Sequence, residues 1–437
     1  MSGLALPRSA LIAYSAPALP LAIAALPIYV HVPKFYGDAL GVDLATIGAI
    51  LLALRLLDAV SDPLLGAWSD HGRSRMKIIA WSLPVLAVGV IALFNPPLPA
   101  GAATGAWLAA SAAVAYAGYS MATINHQALG AELAADPHQR TRITALREGI
   151  ALAGVMVASI VPGLSTNAVE GMQRLTWLFV LALAICGGLF LLRAPQVAAI
   201  PREPLPFMRV LPAIFRVVAF RRLLAVYVAS GIAAAIPATL ILFYVKDVVG
   251  DEAAQGWFLG AYFLAAAMAM PFWVALARRI GKARAWIVAM ILAIASFGWA
   301  WRLGQGDTLP FLVICVLSGI ACAADLALPP SLLADAIDSG PPELGAGAYF
   351  GVWTLVTKLN LALAAGIALP LLQWMGYRPG AASTANVVGI GALAAIYAGL
   401  PCVLKLLAAG LALRIEPAAE ADLRRSPGVR PMAGTTR

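Results

Sequence analysis

The chain has 437 residues, 62% of them hydrophobic and only 12% charged, with a formal net charge of +9 and a mean hydropathy of +0.86. Soluble domains run at about 45–50% apolar and about 25% charged, so this composition cannot coat a water-exposed globule and excludes a soluble enzyme. Disorder, a collagen repeat and a disulfide scaffold are excluded as well: charge is scarce, the 39 Gly have no triplet period, and the 4 Cys all lie inside apolar runs.

A hydrocarbon core about 30 Å thick needs about 20 apolar residues per helix. Such runs fall at about 10–32, 44–68, 78–96, 104–130, 143–165, 173–193, 223–246, 256–277, 285–303, 309–334, 346–373 and 386–413. The spacing predicts an all-α membrane protein of twelve transmembrane helices. The first run has only Arg8 before it and contains Pro17, Pro20 and Pro27; it reads as a retained helix rather than a cleaved signal, with its breaks beside a cavity.

In the second run Arg55, Asp58 and Asp62 stand at i, i+3 and i+7, which puts them on one helix face. Two carboxylates a turn apart repel when both are ionised, so a proton, a metal cation or a basic neighbour must neutralise one. A plain Arg55–Asp58 pair holding helices together is the simpler reading, but it leaves the second acid without a purpose. In the fourth run Tyr116, Ser120, Thr123 and Gln127 form a polar stripe flanked by Asn125 and His126; the stripe suits either interhelical hydrogen bonds or a solute. His126 suits either a proton relay or a packing contact.

Arg147 lies in the fifth run, and Asp325 lies midway down the tenth beside Pro329–Pro330, which predict a break. Asp325 has no evident partner and is expected to face the cavity, because an acid facing lipid is costly. Lys358 in the eleventh run is the basic partner expected for the two acids, and Trp353 is assigned with Asp325 to the cavity.

Fifteen Lys and Arg fall in connectors on the side of the termini and five on the other before the tails are counted, which places both ends in the cytoplasm. Residues 1–193 read as a first six-helix bundle and 223–413 as a second. Residues 194–222 form a linker whose Arg209, Arg216 and Arg221 suit a helix lying on the membrane surface, and 414–437 form a disordered tail. The halves look related: YVHVPKFYGDALG and HGRSRMK in the first parallel FYVKDVVGDE and RRIGKAR in the second. Two pseudo-symmetric six-helix bundles resemble the major facilitator fold of secondary transporters, with the solute between the halves.

Three long segments, RLLDAVSDPLLGAWSDHGRSR, ALGAELAADPHQRTRITALREG and LLADAIDSGPPELGAGAYFGVWTLVTK, resemble the glycoside-pentoside-hexuronide:cation symporters, the melibiose-permease-like branch of that superfamily. The resemblance implies that Asp58, Asp62 and Ser120 bind the coupling cation, that Lys358 takes part in coupling, and that Arg147 contributes to the sugar pocket. Arg55, on the face of the two acids, is placed with Lys358 in the coupling charge network. It also implies that Arg75, Arg140, Asp335 and Asp338 tie the cytoplasmic helix ends together. The pattern departs from the family at Ala22 and Thr123, where sugar-binding acids stand, at Gln127, where an aromatic stands, and at Asn125–His126, where Pro-Tyr stands.

The function expected is cation-coupled symport, sodium or proton, of a small solute by alternating access. A sugar or glycoside is implied by the resemblance, and a lysolipid carrier or a proton-driven exporter of the same fold is the alternative. A monomer in the inner plasma membrane is expected, with a small solute, a coupling cation and the bilayer as partners. No cofactor, structural metal or nucleic acid is expected. An intramembrane enzyme has no support, because no His-rich zinc spacing, Ser-His pairing or nucleotide-binding glycine loop is present.

Overall fold

The computed structural model describes residues 7–32, 35, 36, 40, 42, 44–70, 74–96, 102–134, 136–165, 168–195, 207–251, 254–338, 340, 341, 343–377 and 387–415. The Arg55 side chain, Arg73, Arg202, the linker stretch 196–206 and the tail beyond 415 lie outside the described residues.

The described residues contain helices and connectors and no strand. The first half contains α1 (Arg8–Ser15), α2 (Ala18–Leu26), α3 (Leu44–Ser69), α4 (Arg75–Phe94), α5 (Ala102–Leu133), α6 (Pro137–Ile160) and α7 (Ala168–Arg193). After the short α8 (Phe207–Arg216) come α9 (Val218–Tyr244), α10 (Gln255–Ile280), α11 (Lys282–Ala300), α12 (Thr308–Asp338), α13 (Ala346–Trp374), α14 (Val387–Ala394) and α15 (Leu400–Ala412). With α1–α2 and α14–α15 each counted as one bent rod and α8 set aside, the described helices form twelve rods. Ten are long and apolar enough to cross a membrane by composition alone; α3 and α5 have the length but carry the intramembrane charges and the polar stripe.

Local chemistry explains several of the helix boundaries. α1 gives way to α2 at Pro17, and α2 passes into a wider turn at Pro27 (Pro27–His31), as expected where the ring removes a backbone donor. α6 begins at a cap: the Asp136 carboxylate accepts from the N–H groups of His138 at 2.8 Å and Gln139 at 2.9 Å. Pro137 takes the first helical position, where its missing donor costs nothing. The break expected at Pro329–Pro330 is absent, and α12 runs through both residues to Asp338. Packed neighbours and local adjustment accommodate such prolines in a membrane helix.

The first half packs around Tyr14, Tyr36, Phe94, Phe179 and Phe190, and the second around Tyr244, Phe258, Phe311 and Tyr397. A third buried cluster joins the two, with Ala67, Ile124 and Ala145 against Trp273, Tyr349, Phe350 and Trp353. Large apolar side chains such as Trp81, Leu192, Met268 and Leu406 point outward, as suits a surface facing lipid rather than water.

Candidate cation and solute site

α3 and α13 meet at glycines that let their backbones touch. A Cβ on Gly351 would lie 2.6 Å from the Asp62 carbonyl oxygen and 2.9 Å from the Pro63 Cα, and one on Gly66 would lie 2.1 Å from the Gly347 carbonyl oxygen. Gly347 and Gly351 are four residues apart on α13, the spacing that lets membrane helices touch backbone to backbone. Lys358 follows Gly351 by two turns and lies on the same face, so the close contact carries its ammonium to the acids of α3.

There the Lys358 Nζ donates to Asp58 Oδ2, to Asp62 Oδ2 at 2.6 Å and to Ser120 Oγ at 3.2 Å. Ser120, on α5, donates its hydroxyl to Asp58 Oδ1 at 2.8 Å. Asp58 and Asp62 are 4% and 0% exposed, and the second oxygen of Asp62, Oδ1, is buried with no hydrogen-bond donor. Among the described side chains two carboxylates meet one ammonium, which leaves an excess negative charge in a site largely shut from water, where charge is poorly screened. The chemistry fits a monovalent cation held by carboxylate and hydroxyl oxygens.

The other expected site residues divide. Tyr116, Thr123 and Gln127 share the face of α5 that carries Ser120, and the Gln127 Oε1 is buried without a donor. His126, a helical step round from that face, is 2% exposed. Its Nε2 lies 2.7 Å from the Tyr14 carbonyl oxygen, and the Tyr14 hydroxyl donates to the His126 carbonyl at 2.7 Å. Its ring packs on Tyr14 and edge-on to Phe190, so His126 joins helices inside the first half and does not line the cavity. Ala22 packs against α6 at Gly154.

Arg147 pairs with its neighbour Glu148 at 2.6 Å. Trp353 stacks on Tyr227 with ring centroids 3.7 Å apart, and the Tyr227 hydroxyl lies 2.7 Å from the Thr357 hydroxyl. Asp325 is not the lone acid that its sequence setting suggests. Its Oδ2 accepts from Lys405 of α15 at 2.5 Å, and its Oδ1 from Trp286 Nε1 of α11 at 2.7 Å and Ser230 of α9 at 3.1 Å. This cluster is charge-balanced and lies wholly within the second half.

At the end of the bundle that bears the termini, Arg140 of α6 reaches across to Asp335 at 2.8 Å and to Asp338, and Thr141 meets Ser331 at 2.9 Å. Lys282 holds the same Asp335 at 2.5 Å. Arg75 does not join these acids. It binds Asp70 at 2.5 Å and Glu132 at 2.8 and 2.9 Å within the first half. The crossing link there is Asp70, which accepts from the N–H groups of Gly347 at 2.9 Å and Ala348 at 2.8 Å, capping the N-terminus of α13 where a negative charge is favoured. Asp70, Glu132, Glu148, Lys282 and Lys405 were not anticipated. Asp70 and Glu132 lie inside the segments that carry the resemblance, and Glu148 and Lys405 are charges inside apolar runs, which was signal enough to find them.

A family model described as MFS/sugar transport protein matches residues 12–416. Among similar relatives, the inner membrane symporter YicJ of Escherichia coli (strain K12) is 24% identical over 409 residues, covering 89% of this chain and 87% of the relative. A putative 2,3-dihydroxypropane-1-sulfonate exporter of Salmonella typhimurium (strain LT2) is 24% identical over 404 residues, covering 86% and 85%. A bacterial homologue of the iron transporter ferroportin, solved in its outward-facing state, superposes with a TM-score of 0.69 at 16% identity, covering 94% of this chain and 100% of that one.

Proposed function

Since the chain belongs to the MFS/sugar transport protein family, transporters of many membrane passes rather than enzymes, we propose that it is a cation-coupled symporter that moves a small solute by alternating access. The observation that carries this reading is the hydrogen bonding of Lys358, from the second half, to Asp58, Asp62 and Ser120 of the first. A sodium ion or proton taken up by the two acids removes their excess charge and releases the lysine. The tie between the halves is thereby exchanged for a bound ion, and the halves become free to rock about the solute.

The roles follow from position. Asp58, Asp62 and Ser120 hold the ion, and Lys358 is displaced by it. Gln127, Thr123, Tyr227 and Trp353 flank the space between the halves. Arg140 with Asp335 and Asp338, and Asp70 on the α13 N-terminus, hold the termini end shut. The bias of Lys and Arg toward that end supports a cytoplasmic placement of both termini in an inner membrane, with residues 1–193 and 223–413 as the two rocking bodies and the chain acting as a monomer.

The test is uptake into liposomes from a panel of sugars, glycosides and organic acids under a sodium or proton gradient. Asp58→Asn should fold and insert yet lose accumulation against a gradient, and accumulation by that variant would refute the assignment. The relative named as an exporter favours one further reading, the same exchange run outward on a proton gradient. The sign of the pH response in vesicles separates the two directions.

A further inference from the structure

Far from the cation pair, the short helix α8 (Phe207–Arg216) leads through Val217 into the span α9, which starts at Val218. Its inner face is packed: Val210 and Ile214 are buried, as is Phe220 on the first turn of α9. All three belong to one buried cluster with Ala67 of α3 and with Tyr349 and Phe350 of α13, and α8 contacts both α3 and α9. The helix therefore rests where the two halves meet at the termini end.

Its outer face is of another kind. Arg209, Phe215 and Arg216 are exposed there, followed by Val218, Arg221 and Arg222. Arg209 and Arg216, two helical turns apart, share a face. No aspartate or glutamate occurs between Phe207 and Tyr244. Asp70 and Glu132 are engaged by Arg75, and Asp335 and Asp338 by Arg140, so none of these four arginines has an acidic partner among the described residues. Beside them Phe215 and Val218 are 40% and 46% exposed. A soluble anion or an acidic peptide answers the guanidinium groups and leaves those apolar side chains in water. The boundary between headgroups and acyl chains in an anionic leaflet answers both.

We propose that α8 and the start of α9 bind the phosphate headgroups of anionic phospholipids, and that this binding holds the termini end shut. Aromatic rings connect the two events. Phe215 meets Phe220 edge-on with ring centroids 6.0 Å apart, and Phe220 meets Tyr349 in the same way at 5.2 Å. Tyr349 follows Gly347 and Ala348, whose N–H groups hold Asp70 of the opposite half. Arg222 also donates to the Arg414 carbonyl at 3.1 Å, fastening the end of α15 to α9. Parting the halves at this end separates α3 from α13 and strips the inner face of α8 of its packing. Lipid that keeps α8 seated therefore favours the shut state. The inference uses the alternating-access part of the symport reading and none of its ion chemistry.

Ser331, fully buried at the shut end, supplies the reporter. The full chain with Ser331→Cys, its native cysteines replaced, is placed in nanodiscs of phosphatidylcholine alone or mixed with phosphatidylglycerol, and its rate of reaction with an impermeant thiol reagent is measured. Phosphatidylglycerol should slow the reaction at least about 5-fold, the low end of usual coupling, and high choline chloride should remove the slowing by screening. Arg209→Gln with Arg216→Gln should react at one rate in both lipids, whereas Arg209→Lys with Arg216→Lys should keep most of the difference. In detergent, short-chain phosphatidylglycerol should raise the Tm of the unmodified chain more than short-chain phosphatidylcholine or inorganic phosphate does. Equal rates in the two lipids, slowing that survives the glutamine pair, or equal stabilisation by inorganic phosphate overturns the inference. So does a reaction in phosphatidylcholine alone that quickens on Glu420→Gln with Asp422→Asn, which would give the arginines to the acidic stretch of the tail. A rate that follows sodium or pH but not lipid discards the lipid site and keeps the symport reading. A reporter that reacts under no lipid or ion condition defeats both.

Discussion

Lys358 and Asp62 stand on opposite halves of the molecule, yet the ammonium lies 2.6 Å from one carboxylate oxygen while the other is buried without a donor. The bond ties the halves, and under the proposed symport the vacant acceptor is where an ion would take the lysine's place. Two acids sharing one lysine attract a cation in a way that a matched pair does not. The Asp325–Lys405 pair shows the contrast: a proton or sodium ion added there would leave a surplus positive charge in the protein interior.

The contact that presents Lys358 to its partners depends on Gly351, whose Cβ would meet backbone atoms that cannot swing away. Gly351→Val should push α13 off α3, lower stability by about 1–3 kcal/mol, and weaken the response to sodium or pH along with it. Thermal unfolding in detergent with and without the cation measures both effects.

At the termini end, Arg140 and Asp335 bridge the halves, whereas Lys282 and Asp335 belong to one half. Asp338 is 62% exposed, so its pair contributes little. Arg140→Ala should shift the population toward the state open at that end, by about 1–3 kcal/mol if it matches common coupling energies, and Lys282→Ala should shift it much less. A cysteine placed at Ser331, with the four native cysteines replaced, should react faster with an impermeant thiol reagent in the Arg140 variant.

The Asp325–Lys405 cluster holds α9, α11, α12 and α15 together without touching the first half. Removing either charge alone leaves the other buried and unpaired, at a cost of about 3–5 kcal/mol. Asp325→Asn combined with Lys405→Met should cost far less than the two separately. Calorimetric unfolding of the single and double variants measures the coupling, and the double variant should keep the response to the cation.

The helical spans and the Asp58–Asp62–Lys358 group were legible in the sequence because a charge inside an apolar run is costly and therefore conspicuous, and because i, i+3 and i+7 spacing fixes a shared face. Which helix lies opposite that face is a matter of tertiary packing, and there the reading was incomplete. Asp325 looked solitary because Lys405 follows it by 80 residues. Arg75 was grouped with Asp335 and Asp338 although Asp70 and Glu132 lie nearer. His126 sits beside the polar stripe in sequence, but one helical step turns its ring to Tyr14, 112 residues away. The Gly347–Gly351 pair carried the signal for the α3–α13 contact and went unread, since glycines are abundant throughout the chain.

The most direct test is equilibrium binding of radioactive sodium to the purified protein, with proton uptake followed in parallel, for the unmodified chain and for Asp62→Asn. One ion should bind per chain. If the ion is sodium, its binding should weaken as the pH falls, because a proton on either carboxylate removes the charge that attracts it. If the site is proton-specific, proton uptake should be seen with no sodium bound. Either signal should vanish in Asp62→Asn while the helical content stays unchanged. A variant that binds sodium and protons as the unmodified protein does would contradict the account at its centre.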